Sequence, residues 1–392
     1  MKVYNFSSSV EEIAIKQSGF EPQYLPEEKI RILEVPDFPS LGKITALRFI
    51  EWCQKNPGGV ISLPTGKTPE YFIQWTSFIL NNWNSKGVKE LLEKYAIDVL
   101  SKPDMFSMVF VQIDEFFPMN PEQENSFVWY IKKFYVKKFG LDENKTILIN
   151  AWTTGCKQGE NLGELFPNGK IDLSLRYRQP SNRFEELQQK AIFSADQYAM
   201  EYEQKIRELG GIGFFLGGIG PDGHIGFNIK GSDHFSTTRL AFINYETAAA
   251  AATDLGGIEL ARDRVVMTIG LQTITLNPST TAIIIAAGES KASVVRDAIV
   301  KETSPEYPAT VLRKLKGSCF YLTSGATKLL EERTIKKLER KLHLSITDIN
   351  RIIIDIAVKN GKNLELLTDS DFHQDKKGRF LYNKEKDILS LT

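Results

Sequence analysis

Short, continuously apolar runs separated by helical periodicities constrain this chain more than any other feature. GVISL (59–63), SMVFVQI (107–113), IGFFL (212–216), TAIIIAAG (281–288) and SCFYLTSG (318–325) run without polar alternation. A strand wetted on one face alternates, whereas a strand buried on both faces does not. Between these runs lie LGKITALRFIEWCQKN from Leu41, NSFVWYIKKFYVKKF over 125–139, AIFSADQYAMEYEQKIRELGG over 191–211 and SKASVVRDAIVKE over 290–302. Each spaces its apolar residues for one face of a helix. The third closes on Gly210 and Gly211, which suit a left-handed helix cap. VVMTIGL (265–271) is a further apolar run. The alternation predicts an α/β fold: a Rossmann-like, doubly wound, mostly parallel sheet with helices on both faces. Ligands of such sheets bind beyond the carboxyl ends of the strands.

The organisation expected along the chain is a core over 41–330 with additions at both ends. Residues 1–40, broken by Pro22, Pro26, Pro36 and Pro39, read as an N-terminal extension on the core surface. The Gly/Asn-rich stretch 151–185 reads as a surface loop insertion. Residues 331–392 read as a C-terminal helical extension packed on the core.

Lys+Arg and Asp+Glu both number 49, giving a formal net charge of zero. Nothing global therefore favours nucleic acid or an anionic membrane as partner. The balance leaves room for a local basic pocket that takes an anionic small molecule, and it does not oppose a homo-oligomer. Cys53, Cys156 and Cys319 form no CxxC pair, which fits a reducing compartment. MKVYNFSSSVEEIAIK lacks the apolar core of a signal peptide. With no stretch near the roughly 18 apolar residues of a membrane span, a soluble, cytoplasmic protein is expected. His224, His234, His343 and His373 stand apart from cysteines and carboxylates at ligand spacings, so no metal site is expected.

Each polar motif comes directly after an apolar run. PTGKTP (64–69) turns from GVISL into a helix, and its free N–H groups suit a phosphate. A plain tight turn fits the same residues. Asp114, opening DEFF after VQI, is placed as a general base; a turn or helix-cap aspartate is the alternative. GGIGPDGHIGFN (217–228) sets Asp222 and His224 two residues apart, a carboxylate able to orient an imidazole that moves protons near neutral pH. An Asx turn with an incidental histidine is the alternative. GESK (288–291) brings Lys291 to a helix start, as a phosphate partner or an ordinary surface lysine. STTR (236–239) reads as a solvated loop.

Taken in order, these motifs resemble the glucosamine-6-phosphate deaminase/isomerase family, whose superfamily also holds the 6-phosphogluconolactonases. The resemblance rests on LPTGKTP (63–69), QIDEFF (112–117), NSFVWYIKKFY (125–135), GGIGPDGHIGFN (217–228), TTRLAFINYETAAAAA (237–252), VVMTIGL (265–271), AAGESKA (286–292) and YPATVL (307–312). HIGFN looks like the deaminase branch. The resemblance implies conversion of an amino-sugar 6-phosphate to a ketose 6-phosphate and ammonia, without a metal or organic cofactor. It implies that Asp114 moves the C2 proton to C1, and that His224 assists ring opening with Asp222 orienting it. Substrate contacts would come from Pro64, Thr65, Gly66, Lys67, Thr68 and Lys291, and from Gly218, Gly220, Gly223 and Asn228.

The chain departs from the family at stated places. Ile229 stands where the family has a ring-opening Glu, and Lys67 replaces the second glycine of PTGGTP. Thr253 occupies the position of an active-site Arg, and Ala241 that of an effector-site Lys, while Ser232 and Arg239 match. Two other functions stay open on these residues: a lactonase-type hydrolase, and a sugar-phosphate-binding protein that has lost turnover.

Overall fold

The computed structural model describes residues 6–384 apart from 256, 262 and 263. It divides into two compact units, one up to Ala326 and one from Thr327.

The first unit is built on a seven-stranded sheet. Its strands are β1 (Ile32–Val35), β2 (Val60–Ser62), β3 (Val109–Val111), β5 (Thr146–Ile147), β6 (Phe214–Gly218), β9 (Thr281–Ala286) and β10 (Cys319–Thr323). They lie in the order β1-β10-β9-β6-β2-β3-β5. Every pairing between them is parallel. Adjacent residues such as Phe214 and Phe215, or Ile283 and Ile284, are all fully buried. Both faces are therefore covered, as the continuously apolar runs require. The helices of this unit include α1 (Ser9–Ser18), α2 (Phe38–Lys55), α3 (Glu70–Asn81), α4 (Phe127–Ile131), α5 (Arg183–Glu208), α6 (Tyr245–Leu255) and α7 (Ala292–Val300). α2 begins where Asp37 accepts from Ser40 N at 2.8 Å, and it buries Leu41, Ile44, Leu47 and Ile50 at helical spacing. Its Phe49 meets Phe72 of α3 edge-on, with centroids 5.5 Å apart, and Phe214 of β6 at 5.2 Å. Aromatic pairs of this kind contribute about 0.5–1.5 kcal/mol each beyond burial.

The strand order fixes where a ligand can enter. From β2 the sheet grows through β3 to β5, and from β6 it grows the other way through β9 and β10 to β1. The reversal lies between β2 and β6, so the loops leaving their carboxyl ends flank the crevice of a doubly wound sheet.

Three expectations need correction. Residues 1–40 are not a surface extension: Val10, Ala14 and Ile15 of α1 are buried, and β1 is an edge strand pairing Ile32 with Phe320 through Val35 with Thr323. A strand this short, closed by Pro36, has too few residues to show a period, and its partner lies at the far end of the unit. The 151–185 stretch is not a bare loop, since Leu162, Phe166, Leu173 and Leu175 are buried. It is tied to α5 by Gln188 Nε2 donating to Leu165 O at 2.7 Å and Gln189 Nε2 to Leu175 O at 2.7 Å. Its apolar anchors keep no regular period, which left only glycine and asparagine visible. Finally, DEFF is itself a strand, β4 (Asp114–Phe117). With β7 (Arg239–Phe242) and β8 (Val265–Thr268) it forms a second, antiparallel sheet of order β4-β8-β7. The apolar run VVMT belongs there, pairing Val265 with Phe117 and Thr268 with Asp114. Arg239, read as loop, opens β7. Buried strands of the two sheets look alike in sequence.

The second unit is helical, over Glu331–Glu339, Ile346–Asn360, Asp369–Gln374 and Lys376–Lys384. Its own small core joins Leu338, Ile352, Ile356, Phe372 and Leu381. Among the described residues no helix is long and apolar enough to cross a membrane, and no group of His, Cys, Asp and Glu is arranged to hold a metal ion.

Candidate active site

A cleft of about 240 Å³ opens at the sheet reversal. Pro64, Thr65 and Thr68 come to it from the end of β2, Ile113 and Asp114 from beyond β3, Gly217 to Gly220 and His224 from the end of β6, and Lys291 from beyond β9. α3 starts without a side-chain cap, the condition in which a helix N-terminus offers N–H groups to an anion.

Asp114 is 8% exposed, and among the described residues its carboxylate receives no hydrogen bond. Burial, and then the neighbouring Glu115 carboxylate, push it well above the usual carboxylate range. Asp222 has the opposite surroundings. Its Oδ1 accepts from His224 Nδ1 at 2.5 Å, and its Oδ2 from Asn244 Nδ2 at 2.7 Å and Lys230 N at 3.3 Å. Burial works against ionisation there, but these bonds and the imidazole hold the carboxyl below its ordinary range. Nδ1 of His224 is thus committed to Asp222, which leaves Nε2 as the ring's free nitrogen.

Local packing sets the plane of the imidazole. One face stacks on Phe227, centroids 5.7 Å apart at 20°. Gly220 also lies against the ring, where any Cβ would come within 2.0–2.3 Å of its atoms. Phe227 in turn stacks on Phe127 at 6.4 Å and 12°, making an apolar wall. Lys291 Nζ donates to Ile219 O at 2.8 Å, and burial lowers its pKa against the pull of Asp222. A half-buried ammonium that keeps only that one bond among the described residues has N–H groups left for an anion.

Several expected residues lie elsewhere. Gly66 and Lys67 line a separate cavity of about 540 Å³ with Glu70, Glu124, Tyr130, Phe134 and Lys138, so the loop over 64–68 is the wall between two cavities. Tyr130 Oη donates to Gly66 O at 2.8 Å and holds that wall. Phe127 borders both. Asn228 is wholly buried, its Nδ2 donating to Ile225 O at 2.9 Å and Ile269 O at 2.8 Å, while its Oδ1 accepts from Arg239 Nη1 at 2.9 Å. It braces the loop instead of facing the cleft, and it takes up the Arg239 guanidinium. Gly223, at φ +88°, makes the turn between Asp222 and His224 and lies outside the cleft lining. Ile229 is half-buried with its carbonyl accepting from Ser232 N at 2.9 Å. The side chain of Thr253 lies outside the described residues.

Other site residues carried no signal of their own in the sequence. Phe127 and Phe227 read as helix and loop hydrophobes. Asn244 and Thr247 sit in NYET, where an Asn three residues before a Thr marks a helix start and nothing more.

Residues 172–321 match the family model described as glucosamine-6-phosphate isomerases/6-phosphogluconolactonase. Among curated proteins, the glucosamine-6-phosphate deaminase of Bacillus pumilus is 26% identical over 284 residues, covering 72% of this chain and 93% of the relative. That of Rhodopirellula baltica is 28% identical over 304 residues, covering 78% and 97%. Among solved structures, a monomeric glucosamine-6-phosphate deaminase superposes with a TM-score of 0.56 at 21% identity, covering 76% of this chain and 99% of the other. The 6-phosphogluconolactonase from Leishmania guyanensis gives 0.50 at 15% identity, covering 79% and 99%. At these identities the structural likeness bears on the fold alone.

Proposed function

We propose that this chain, a member of the superfamily that joins glucosamine-6-phosphate isomerases with 6-phosphogluconolactonases, converts an amino-sugar 6-phosphate and water to a ketose 6-phosphate and ammonia. The observation that carries this reading is Asp114: a carboxylate buried at the cleft, without a hydrogen bond among the described residues, whose proton affinity is raised. A carbon acid needs such a base, because a base poised nearer neutrality removes a proton from carbon more effectively than an ordinary carboxylate. Hydrolysis of a lactone calls for no proton transfer at carbon.

The roles come from position. Thr65, Thr68 and Lys291 hold the phosphate at one end of the cleft, fixing the reacting carbons at the other. Nε2 of His224 takes the proton of the anomeric hydroxyl and delivers it to the ring oxygen as the bond from C1 to that oxygen breaks, and Asp222 stabilises the imidazolium that exists between the two transfers. Asp114 takes the proton from C2 and returns it to C1, while the C1 oxygen gains the proton that the C2 nitrogen gives up, which leaves an imine at C2. Water adds there and ammonia leaves. Phe127 and Phe227 wall the cleft with apolar surface, which strengthens these charge interactions.

A second reading, a sugar-phosphate-binding protein without turnover, draws on Ile229, whose side chain can neither donate nor accept a proton. Ammonia release from glucosamine 6-phosphate and galactosamine 6-phosphate, beside the Asp114→Asn variant, separates the two. Release that disappears in the variant supports the deaminase. Thermal stabilisation by the same sugars without release supports the binding protein, and acid release from 6-phosphogluconolactone would favour a lactonase.

A further inference from the structure

The imidazole of His224 has a degree of freedom that its packing does not remove. Phe227 stacks on the ring and Gly220 lies close against it, and this packing fixes its plane. A half-turn about the Cβ–Cγ bond keeps that plane and exchanges Nδ1 with a carbon. Only hydrogen bonds at the ring edge distinguish the two states. A free neutral histidine prefers its proton on Nε2, so a ring that donates through Nδ1 is in a state the protein must impose.

The edge contacts come from Asp222 and from the start of α6. Asp222 Oδ1 lies 2.5 Å from Nδ1, and Thr247 Oγ1 lies 3.2 Å from the same nitrogen. Thr247 is 2% exposed. Asp222 is itself held: Asn244 Nδ2 donates to its Oδ2 at 2.7 Å, and the backbone N–H of Lys230 does so at 3.3 Å. Asn244 also caps α6, its Oδ1 accepting from Thr247 N at 2.9 Å and its carbonyl from Ala248 N at 2.9 Å. The two ends of one amide thus join the helix cap to the carboxylate, and the residue it caps touches the imidazole. The start of a helix is an apt anchor for an anion, because its N–H groups and dipole favour negative charge.

We propose that Asn244 and Thr247 are the positioning residues of His224: the cap of α6 orients the Asp222 carboxylate and the ring together, so that Nδ1 carries the proton and bare Nε2 faces the cleft. Neither residue touches the reacting atoms. The arrangement gives His224 a neutral amide and a hydroxyl as supports beyond its single carboxylate, with no further acid needed at position 229. The effect on turnover rests on the deaminase reading; the tautomer does not.

The test is imidazole nitrogen-15 NMR on the full chain near pH 8, with His224→Gln identifying the signals. Wild type is expected to show His224 protonated at Nδ1 and bare at Nε2. Asn244→Ser keeps a good helix cap but loses the amide donor. Thr247→Val keeps the shape and loses the hydroxyl. Both are expected to move protons from Nδ1 to Nε2, Asn244→Ser the more. With an amino-sugar phosphate, kcat should fall about tenfold while KM stays within about twofold, the signature of an interaction needed at the transition state. Binding of the open-chain 2-amino-2-deoxyhexitol 6-phosphate, which needs no ring opening, should stay as in wild type. His224 shifts equal to wild type in both variants overturn the proposal. If Asn244→Ser does not fold, Thr247→Val decides by the same shifts. A shifted tautomer in a protein that turns over no amino sugar upholds the proposal and counts against the deaminase reading alone.

Discussion

Asp114 lines the cleft and Asp222 stands behind it on His224, each beyond the end of a different strand, and their surroundings are opposite. Asp114 is buried without hydrogen bonds among the described residues, and its acidity is weakened. Asp222 is bonded through both oxygens, and its acidity is strengthened. The contrast shows how one side-chain type is divided into two jobs by environment. A carboxylate that must take a proton is left unsatisfied, whereas one that must stay charged beside an imidazole is saturated with donors.

The largest effect should separate the two by rate. Asp114→Asn is expected to lower kcat about 10³–10⁴-fold, near the upper end of general base catalysis, and Asp222→Asn about 10²-fold; steady-state ammonia release measures both. Equal losses would erase the distinction.

Next comes the phosphate grip, on either side of the wall over 64–68. Lys291→Ala should raise KM about tenfold or more, the weight of a charge-assisted contact. Lys67→Ala, on the far side, should leave KM within about twofold, since a solvated charge there contributes little. A KM rise for Lys67→Ala would place its ammonium in the cleft after all.

The pH profile sharpens the comparison. A base must be ionised to work, and Asp114 ionises above the usual carboxylate range, so kcat/KM should fall with decreasing pH well before an ordinary carboxylate titrates. Glu115 is pushed up to about 7 by burial against the hydrogen bonds from Val128 N and Ser126 Oγ, so it too ionises above the usual carboxylate range. Glu115→Gln should keep the limb but move it toward lower pH, since the Glu115 charge helps raise Asp114, and Asp222→Asn should not displace it. A limb that moves with Asp222 would exchange the two roles.

The smallest effect is on stability, and its sign should differ between the two sites. The folded state raises the pKa of Asp114, so its contribution is most favourable below the unfolded value and is lost as pH rises toward the folded one. Asp114→Asn should therefore melt higher than wild type at pH 8, by a few degrees. Asp222 is lowered on folding, so its contribution is present above the unfolded value and lost as pH falls. Asp222→Asn should melt lower at pH 8. Thermal melts of both variants at pH 5 and pH 8 check the pair.

Much of the fold and the cleft was legible from the order of the apolar runs and the polar residues just behind them. Unbroken apolar runs mark strands covered on both faces, and in a doubly wound sheet the polar loops at their carboxyl ends face the crevice; Asp114, His224 and Lys291 line the cleft for that reason. The residues that escaped have local patterns that serve two purposes equally well. Asn228 has the hydrogen-bonding groups of a ligand contact and of a loop brace, and only the carbonyls of Ile225 and Ile269 decide between them. Lys67 comes after a glycine whose dihedrals settle the side of the wall it takes, and sequence does not carry dihedrals. DEFF and VVMT announce strands without announcing a second sheet, because partner choice is a non-local property.

Pairing Ile32–Val35 with Cys319–Thr323 has a consequence for biosynthesis. The ribosome releases β1 long before β10, the strand it pairs with among the described residues. Until then this strand waits with its ladder unmet, and the entropy of closing so long a span is met only late. Such an exposed strand edge is a site for wrong association while the chain is being made. Trimming the N-terminal residues through Val35 would therefore uncover β10 to the next chain.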